Sequence, residues 1–354
     1  MIIIYHIPSL NTIYAGRTIY AGYKNAFEDL GHEFHPLTSI ENQSVLFDRV
    51  QPDIFITSLN PYNLKFIDFK VLTRHKKRGL KVFLNMPFWK SPISRLRLNE
   101  TPSLADNLEY IKLIKSDSLG DIFYNVCEPD DPRMDGFEKA TGRKHHTILL
   151  AADKMLHYPE QAEQFKADIS YIGTYLPQKR SFVREQVLPL KKIYVLKLYG
   201  QDWTTLDRTK GFVQKLGQYF NIPILRSLQK PKLGLDDERR IYSSSIISIN
   251  IHEDYQKKFG GDCNERTFKI PICGGFEITD DVSCIRKYFK EGEEIIIAKD
   301  KDDWFDKIGY YIKHPEKRLP IIDAGRKKVL EEHTYHNRVK QIIGIFNFLA
   351  GRSS

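Results

Sequence analysis

Two clusters of polar residues in the second half of the sequence have the residue types and spacing of an anion-binding site. In the first cluster, Gly173-Thr174 is followed by the cations Lys179 and Arg180 at the start of a predicted helix. A diphosphate at this point would be held by loop N–H groups, the helix dipole and charge-assisted hydrogen bonds. The alternative is a tight turn beside two solvated cations. The position after the first strand of this half favours a binding role.

The second cluster surrounds the end of another predicted strand in the same half. Its members are polar or charged side chains that follow or precede this strand end: Asn250, His252, Asn264, Glu265, Arg266 and Thr267. A glutamate accepts hydrogen bonds from sugar hydroxyls, and an arginine can hold a phosphate through two hydrogen bonds. The paired glycines Gly260-Gly261 permit a close approach of backbone to ligand. A solvated loop is the competing interpretation, and the clustering favours a ligand site.

Candidates for proton transfer or metal binding are fewer. His6 follows the first predicted strand and is a candidate base, with a packed or exposed histidine as the alternative. Asp130-Asp131 resembles an acidic metal-binding pair, but Mg²⁺ sites require more oxygen ligands. His145-His146 is read as a surface pair, and the four cysteines lack zinc-site spacing. We therefore predict no metal site and four reduced thiols.

Composition and charge limit the partners. The 354 residues, of which 41% are hydrophobic and 28% charged, indicate a globular protein of about two domains. The net charge of +9 favours anionic partners. Basic and aromatic residues are not interleaved as in a nucleic-acid module, so no nucleic-acid partner is expected. The basic run Arg74–Arg78 is typical of a solvated helix end, with contact to an anionic membrane surface as the second interpretation. No signal peptide or spanning segment is seen, which predicts a cytoplasmic location.

Strands alternate with helices through both halves, which indicates two doubly wound parallel sheets. Strands of the first half are predicted at Ile2–Tyr5, Asp53–Thr57, Lys81–Asn85, Asp121–Asn125 and Thr147–Ala151. Strands of the second half are predicted from Asp168 onward and at Lys192–Tyr199, Ile246–His252 and Glu294–Ala298. Ligands of such sheets bind outside the carboxyl ends of the strands, where both polar clusters fall. An amphipathic helix at Tyr335–Leu349 closes the chain.

Several short segments, taken in order, carry a family resemblance. In the second half they are Asp168-Ile-Ser-Tyr-Ile-Gly-Thr174, Leu198-Tyr-Gly-Gln-Asp-Trp203, Asn264-Glu-Arg-Thr-Phe-Lys-Ile-Pro-Ile-Cys-Gly-Gly-Phe276, Gly292-Glu-Glu-Ile295, Tyr310-Tyr-Ile-Lys-His-Pro315 and Glu332-His-Thr-Tyr335 with Arg338. The first half adds Asp121–Asn125 with Glu128-Pro129, and Leu150–Asp153. The series resembles the family-1-like glycosyltransferases related to the spore-maturation protein CgeB.

The resemblance implies a GT-B fold, in which two Rossmann-like domains with parallel sheets face an interdomain cleft. It implies an acceptor domain over residues 1–157, a donor domain over 158–333 and a helix over 334–354 that crosses back to the first domain. The donor would be a UDP-, GDP- or dTDP-sugar, with no metal or other cofactor required. By position, Gly173, Thr174 and Arg180 would lie near the diphosphate, and Glu265, Arg266 and Thr267 near phosphate, ribose or sugar. Asn250, His252 and Asn264 complete the expected donor site.

One position departs from the resemblance. Many GT-B transferases carry a Glu-x7-Glu pair whose second glutamate binds ribose, and the two equivalent positions here are Gly261 and Lys269. A lysine cannot accept a hydrogen bond from ribose. Three interpretations stay open: Glu265 binds the ribose, Lys269 binds phosphate, or the site has weakened.

The sequence thus predicts a metal-independent hexosyl- or related glycosyltransferase that moves a sugar to a glycan, lipid-linked or cell-surface polymer acceptor in bacterial polysaccharide synthesis. His6 or Asp153 would act as the base if the reaction inverts the anomeric carbon. One alternative is a non-catalytic nucleotide- or glycan-binding protein of the same fold, which the missing glutamate pair favours. Another is a sugar-nucleotide epimerase. The base, the sugar and the stereochemical outcome are not specified by the sequence.

Overall fold

The computed structural model describes residues 1–10, 15–90, 103–176, 179–220, 222–226 and 233–351. The chain divides into two compact units, one formed by Met1–Leu150 with Tyr335–Ser354 and the other by Ala151–Thr334. The expected limit at 157/158 lies seven residues after the division at 150/151, and the expected limit at 333/334 lies one residue before the division at 334/335. Each unit contains one parallel sheet with helices, so the predicted α/β class with two Rossmann-like units is confirmed.

The first unit contains a six-stranded parallel sheet in the order β2-β1-β3-β4-β5-β6. Its strands are β1 (Ile2–His6), β2 (Glu33–Leu37), β3 (Ile54–Ser58), β4 (Lys81–Asn85), β5 (Ile122–Asn125) and β6 (His145–Thr147). The central strands are nearly continuous runs of apolar residues because helices cover both faces of such a sheet. The chain passes from β1 to β2 on one side and to β3 on the other, so the topological switch lies between β1 and β3.

Four of the five strands predicted for the first half are confirmed to within one residue at each end. The prediction for Thr147–Ala151 was wrong, because β5 ends at Asn125, which pairs with Thr147 and leaves later residues without a strand partner. His145-His146, read as a surface pair, forms the half-buried start of β6. The edge strand β2 was not predicted because it contains Pro36, which is tolerated at a sheet edge.

Three helices of the first unit begin with a side-chain cap. The helices of this unit are α1 (Gly16–Asp29), α2 (Gln43–Val50), α3 (Pro61–Leu64), α4 (Phe69–Lys76), α5 (Leu108–Lys115) and α6 (Phe137–Thr141). The side chains of Asn42, Asp68 and Asn107 accept hydrogen bonds from first-turn N–H groups of α2, α4 and α5. Gly31, with φ +79°, follows the end of α1 in a conformation that favours glycine.

The second unit contains a five-stranded parallel sheet in the order β11-β10-β9-β7-β8. Its strands are β7 (Ala167–Ile172), β8 (Leu196–Tyr199), β9 (Ser245–Asn250), β10 (Glu277–Asp280) and β11 (Ile296–Ala298). β9 and β11 are confirmed, although each is shorter than predicted. The prediction of a strand from Lys192 was wrong at its start, because Leu188–Lys192 is a 3₁₀ turn and Ile193 and Val195 are exposed rather than in the sheet.

The two faces of this second sheet differ in polarity. Its helices are α7 (Arg180–Phe182), α8 (Thr205–Tyr219), α9 (Pro223–Arg226), α10 (Leu235–Ser244), α11 (Asp254–Phe259), α12 (Arg266–Ile272), α13 (Ile285–Tyr288), α14 (Lys301–Lys313) and α15 (Pro315–Glu332). One face packs its aliphatic residues against Trp304 and Ile308 of α14. The pairing register puts buried polar residues on the other face: Ser170, Ser248, Asn250, Glu277 and Thr279. This polar stripe leads to the carboxyl edge of the sheet.

The last helix, α16 (Tyr335–Leu349), packs on the first unit, as the resemblance implied. The Tyr335 ring lies against α1, with its centroid 5.0 Å from that of Tyr23. A side chain at Gly22 would overlap this ring, because an added Cβ would lie 2.1 Å from it. Arg338 donates to the carbonyl oxygen of Leu149 at 3.1 Å. None of the described helices combines the length and apolar character that a bilayer span requires.

Candidate functional site

The second unit brings the two predicted clusters together at its topological switch. The chain continues from β7 to β8 on one side and later returns to β9 on the other. Ligands of open α/β sheets bind in the crevice outside the carboxyl ends of such strands. Gly173 directly follows β7, and Asn250 is the last residue of β9. The residues of both clusters therefore lie around one sheet edge.

The loop after β7 is fixed by the loop after β8. The amide of Gly173 donates to the carbonyl oxygen of Tyr199 at 2.9 Å, and its own carbonyl accepts from the Trp203 indole at 2.9 Å. Gly200 has φ +111°, and an added Cβ there would lie 2.4 Å from the Gly173 oxygen. Only glycine allows this approach. The loop with half-buried Thr174 is therefore held in one place at the switch.

Two cations converge on one carbonyl oxygen at this edge. Lys179 Nζ donates to the oxygen of Ile251 at 3.0 Å, and the Arg266 guanidinium donates to the same oxygen at 2.9 Å. Lys179 is only 5% exposed, yet neither cation forms an ion pair with a carboxylate among the described residues. Burial, followed by the nearby charge of Arg266, lowers the pKa of Lys179 to about 7. This edge therefore carries two basic side chains that have no ion-pair partner among the described residues.

The neighbouring cation predicted for this role points elsewhere. Arg180 is exposed, and its guanidinium lies 5.4 Å from the centroid of the Tyr175 ring. Tyr175 in turn stacks on Trp203 with ring centroids 5.1 Å apart. Sequence reasoning noted Lys179 beside Arg180 but selected the arginine, and adjacency in sequence gave no signal to choose between them. The structure brings Lys179 to the switch.

Asn250 organises the second cluster. It is fully buried, and its amide nitrogen donates to Thr267 Oγ1 at 3.1 Å and to Glu277 Oε1 at 2.8 Å. Its amide oxygen accepts from Asn264 Nδ2 and from Arg266 Nε, each at 3.0 Å. Both donors and the acceptor of the side chain are used. Asn250 therefore fixes the orientation of the Arg266 guanidinium.

His252 lies behind this network rather than at a ligand surface. Its Nδ1 is 2.7 Å from Asp280 Oδ1, and its Nε2 is 3.3 Å from Thr267 Oγ1. Burial lowers the pKa of His252. For Asp280, the interactions with His252 and Lys257 outweigh burial and lower the pKa of the carboxyl. Both ring nitrogens lie within hydrogen-bond distance of Asp280 or Thr267 and the ring has no exposed surface, so His252 does not face a ligand directly.

Comparison with known proteins shows which family part of the chain resembles. Residues 180–344 match a family model described as glycosyl transferase-like. The spore protein CgeB of Bacillus subtilis (strain 168) is 23% identical over 180 residues, which cover 48% of this chain and 51% of that protein. The matched part thus spans about half the length of this curated relative.

Solved structures are similar over the whole chain. A sucrose-phosphate synthase from Thermosynechococcus elongatus has a TM-score of 0.63 and 12% identity, covering 99% of this chain and 100% of its own. An alpha-glucosyltransferase in complex with UDP has a TM-score of 0.66 and 11% identity, covering 98% and 99%. The chain has the GT-B fold of these structures, and residues 180–344 are similar to the glycosyl transferase-like family. The resemblance inferred from the sequence is confirmed.

In this GT-B protein, a buried hydroxyl without a partner lies at the β7 loop. Tyr171 is 1% exposed, and its hydroxyl has no hydrogen-bond partner among the described residues. An added Cβ at Gly173 would lie 2.4 Å from this oxygen. The Arg266 guanidinium lies 5.8 Å from the centroid of the Tyr171 ring. Sequence reasoning missed Tyr171 because an aromatic residue in a buried strand reads as core.

The lysine that departs from the GT-B pattern lies between two carboxylates. Lys269 Nζ is 3.1 Å from Glu265 Oε2 and 3.2 Å from Glu238 Oε2. Burial lowers the pKa of Lys269, but the two carboxylates outweigh it and raise the pKa overall. Burial alone would raise the pKa of Glu238. The interactions with Lys269 and His157 outweigh burial, so the pKa of this carboxyl is lowered. Glu238, on α10, was not identified from the sequence, since only helix packing brings it to Lys269.

The first unit has a cavity at the switch between β1 and β3. His6 ends β1, and its Nδ1 lies 2.9 Å from Thr57 Oγ1 of β3. Its Nε2 is buried without a hydrogen-bond partner in the described part of the chain. Burial lowers the pKa of His6 to about 4, so the ring is neutral at physiological pH. Beside it lies a cavity of about 140 Å³.

The remaining candidates, Asp153 and Asp131, are bonded to neighbouring residues. Asp153 is fully buried, and its carboxylate accepts from the amide of Met155 at 2.9 Å. The Asp131 carboxylate binds the guanidinium of Arg133, with Arg133 Nε at 2.9 Å, so it is used in an ion pair. No group of three or more His, Cys, Asp or Glu side chains suited to a metal ion occurs among the described residues.

Proposed function

We propose that the chain is a glycosyltransferase that uses a nucleotide-sugar donor bound at the switch point of the second unit. The observation that carries this proposal is the pair Lys179 and Arg266, which converge on the Ile251 oxygen without an ion-pair partner in the part of the chain that the structure describes. Two such cations beside a glycine loop provide charge-assisted hydrogen bonds for a diphosphate. Several structures of similar fold contain UDP or ADP, which supports a nucleotide ligand.

The other donor-site residues divide into three roles in this proposal. Gly173 and Thr174 allow the backbone to approach the diphosphate, although the Gly173 amide is already bonded to Tyr199. Asn250 and Asn264, with His252 and Thr267 behind them, hold Arg266 in position. Glu265 accepts hydrogen bonds from ribose or sugar hydroxyls.

Lys269 takes a positioning role in this proposal, since its ammonium already pairs with two carboxylates. Its charge outweighs burial at Glu238 and lowers the pKa of that carboxyl, and its contact with Glu265 holds the Glu265 side chain in place. Of the three interpretations left by the sequence, the first therefore has the most support. Arg180, exposed beside Tyr175, has a peripheral role at most.

The proposed reaction breaks the bond between the anomeric carbon and the diphosphate oxygen and forms a bond to an acceptor hydroxyl oxygen. The electron pair of the broken bond stays on the diphosphate, where Lys179 and Arg266 stabilise the charge without a metal. The hydroxyl proton passes to a base, for which the neutral His6 is the candidate of choice over Asp153. We propose a hexosyl donor and a glycan, lipid-linked or surface-polymer acceptor at the cytoplasmic side of a membrane.

The test is a panel of UDP-, GDP-, ADP- and dTDP-sugars, with binding followed by calorimetry and turnover by release of the nucleoside diphosphate. We expect one donor to bind and to be hydrolysed slowly without acceptor, with EDTA having no effect. In the Lys179→Met variant, donor binding weakens by at least tenfold while the fold is retained. Tight binding with no turnover would instead identify a nucleotide-binding protein, and release of an epimerised sugar would identify an epimerase.

A further inference from the structure

The cavity beside His6 has a lining that carries no ionised side chain. Its polar lining residues in the described chain are His6, Thr57, Ser58, Asn63 and Asn85, and no aspartate, glutamate, lysine or arginine lines it. Burial holds the His6 ring in its neutral form. An anion or cation placed here would lose its hydration without gaining a partner of opposite charge, which is strongly unfavourable. The cavity therefore selects against charged groups.

The rest of the lining is aromatic or aliphatic. Tyr5, Tyr23 and Tyr124 line the cavity together with Ile19 and Ile56. Tyr5 and Tyr23 lie next to one another, with ring centroids 5.6 Å apart. Burial raises the pKa of the Tyr124 hydroxyl well above its usual range, so this group stays protonated. The cavity volume of about 140 Å³ is below the range of drug-sized sites, so the cavity holds a small group such as one ring.

The unpaired nitrogen of His6 identifies what such a ring must offer. His6 Nδ1 is bonded to Thr57, and Nε2 is left as a donor or an acceptor depending on the tautomer. A hydroxyl group can both donate and accept, so it satisfies Nε2 in either case. An aliphatic group would leave the nitrogen unsatisfied, which costs free energy in a buried place.

We propose that this cavity binds an uncharged, hydroxyl-bearing ring of the acceptor, a neutral sugar unit, with His6 Nε2 hydrogen-bonded to one hydroxyl. The inference rests on the proposed function, since it specifies the acceptor class of the same reaction. A phosphate or carboxylate of the acceptor must then lie outside the cavity. The reacting ring of the acceptor is a neutral sugar rather than a uronic acid or a sugar phosphate.

The experiment measures binding directly, so it does not depend on turnover. The full chain labelled with ¹⁵N-histidine is titrated with methyl glucoside, methyl galactoside and methyl mannoside, and with the methyl glycosides of the matching uronic acids. We expect at least one neutral glycoside to shift the His6 Nε2 resonance, and its 6-carboxylate counterpart to bind at least tenfold more weakly. By calorimetry, His6→Phe should weaken binding of that glycoside by about two- to tenfold through the lost hydrogen bond, whereas His35→Phe, at a half-exposed ring bonded to Glu33, should leave both the affinity and the His6 shift unchanged.

The outcomes separate this inference from the donor proposal. Equal or tighter binding of a uronic acid glycoside overturns the inference, and so does the absence of any His6 shift with all three neutral glycosides. Donor binding at Lys179 and Arg266 is measured independently by calorimetry. Failure of donor binding with a retained His6 response would overturn the proposed function and leave a neutral-sugar site in the first unit.

Discussion

The two units place their candidate sites at the same topological position but give them opposite electrostatic character. In each sheet, the site lies outside the strands where the chain order reverses, at β1 and β3 in one unit and β7 and β9 in the other. The edge of the second unit carries Lys179 and Arg266 without carboxylate partners. The edge of the first unit carries a neutral histidine and no charged lining. The fold sets where a ligand binds, and the side chains set which ligand.

The two edges also differ in how completely their polar groups are bonded. In the second unit, Asn250 uses every donor and acceptor of its side chain to hold Arg266 and its neighbours. In the first unit, His6 is held from one side by Thr57 and keeps Nε2 unbonded. A fixed guanidinium suits a ligand of defined charge and geometry, such as a diphosphate. An unbonded neutral nitrogen suits a hydroxyl.

Removal of the Arg266 charge is expected to have the largest effect on the second edge. Arg266→Ala should weaken donor binding by about 1.5–3 kcal/mol, roughly 10- to 150-fold, because charge-assisted hydrogen bonds to phosphate are lost. Calorimetric titration with the donor measures this loss. Arg180→Ala is the matched control, since Arg180 is exposed with its guanidinium beside the Tyr175 ring, and it should change affinity by less than about threefold. Equal losses in both variants would contradict the assignment.

The titration of Lys179 is expected to make donor binding pH-dependent. The pKa of Lys179 is lowered to about 7 in the free protein, chiefly by burial and then by Arg266. A bound diphosphate favours the ammonium form, so binding takes up a proton above pH 7 and is independent of this group below it. The dissociation constant should therefore rise by about tenfold per pH unit above pH 7, until the pKa of the complex is reached.

The charged groups around Lys179 determine how this experiment is controlled. Arg266 and Lys257 lower its pKa, and Glu253 and Asp280 raise it. Glu277, whose pKa burial raises to about 8, ionises in the same range and would also disfavour an anion. Lys179→Arg keeps the charge at all these pH values, so this variant should lose the part of the pH dependence of donor binding that comes from the titration of Lys179. A wild-type dissociation constant that is flat from pH 6 to pH 9 would rule the mechanism out.

The same pH series sharpens the comparison with the first unit. The pKa of His6 is lowered to about 4 by burial, so its ring does not titrate between pH 6 and pH 9. Binding of a neutral glycoside at His6 should therefore be constant over the range in which donor binding weakens.

The location of both edges could be predicted from the sequence, whereas the identity of some key residues could not. Buried strands read as apolar runs, and the polar residues at their ends mark the carboxyl edge, which placed His6 and Asn250 at strand ends as the structure has them. The sequence could not choose between Arg180 and Lys179, because only the fold shows that Lys179 is the one of these two adjacent cations that contacts Ile251. Packing in the folded chain determines which cation faces Ile251, and adjacency in the sequence does not predict it.

Contacts between residues that are far apart in the sequence could not be predicted, for the same reason. Glu238 neutralises Lys269 only because α10 and α12 pack together, and no spacing rule connects residues 31 positions apart. The alternatives for Lys269 could be enumerated from the sequence, but the contact that discriminates among them appears only in three dimensions. The edge strand β2 was missed because Pro36 and few apolar residues weaken its pattern.

The smallest expected effect concerns the unpaired hydroxyl of Tyr171. If this hydroxyl donates to the diphosphate, Tyr171→Phe removes one hydrogen bond and should weaken donor binding by about 0.5–1.5 kcal/mol, roughly two- to tenfold. The free protein should keep its thermal stability, since the hydroxyl has no partner to lose among the described residues. Tyr310→Phe is the control, because Tyr310 is exposed near the end of α14, where its ring centroid lies 4.4 Å from that of His314. A loss of affinity confined to Tyr171→Phe places the diphosphate at the β7 loop, and equal behaviour of the two variants would move it away from that loop.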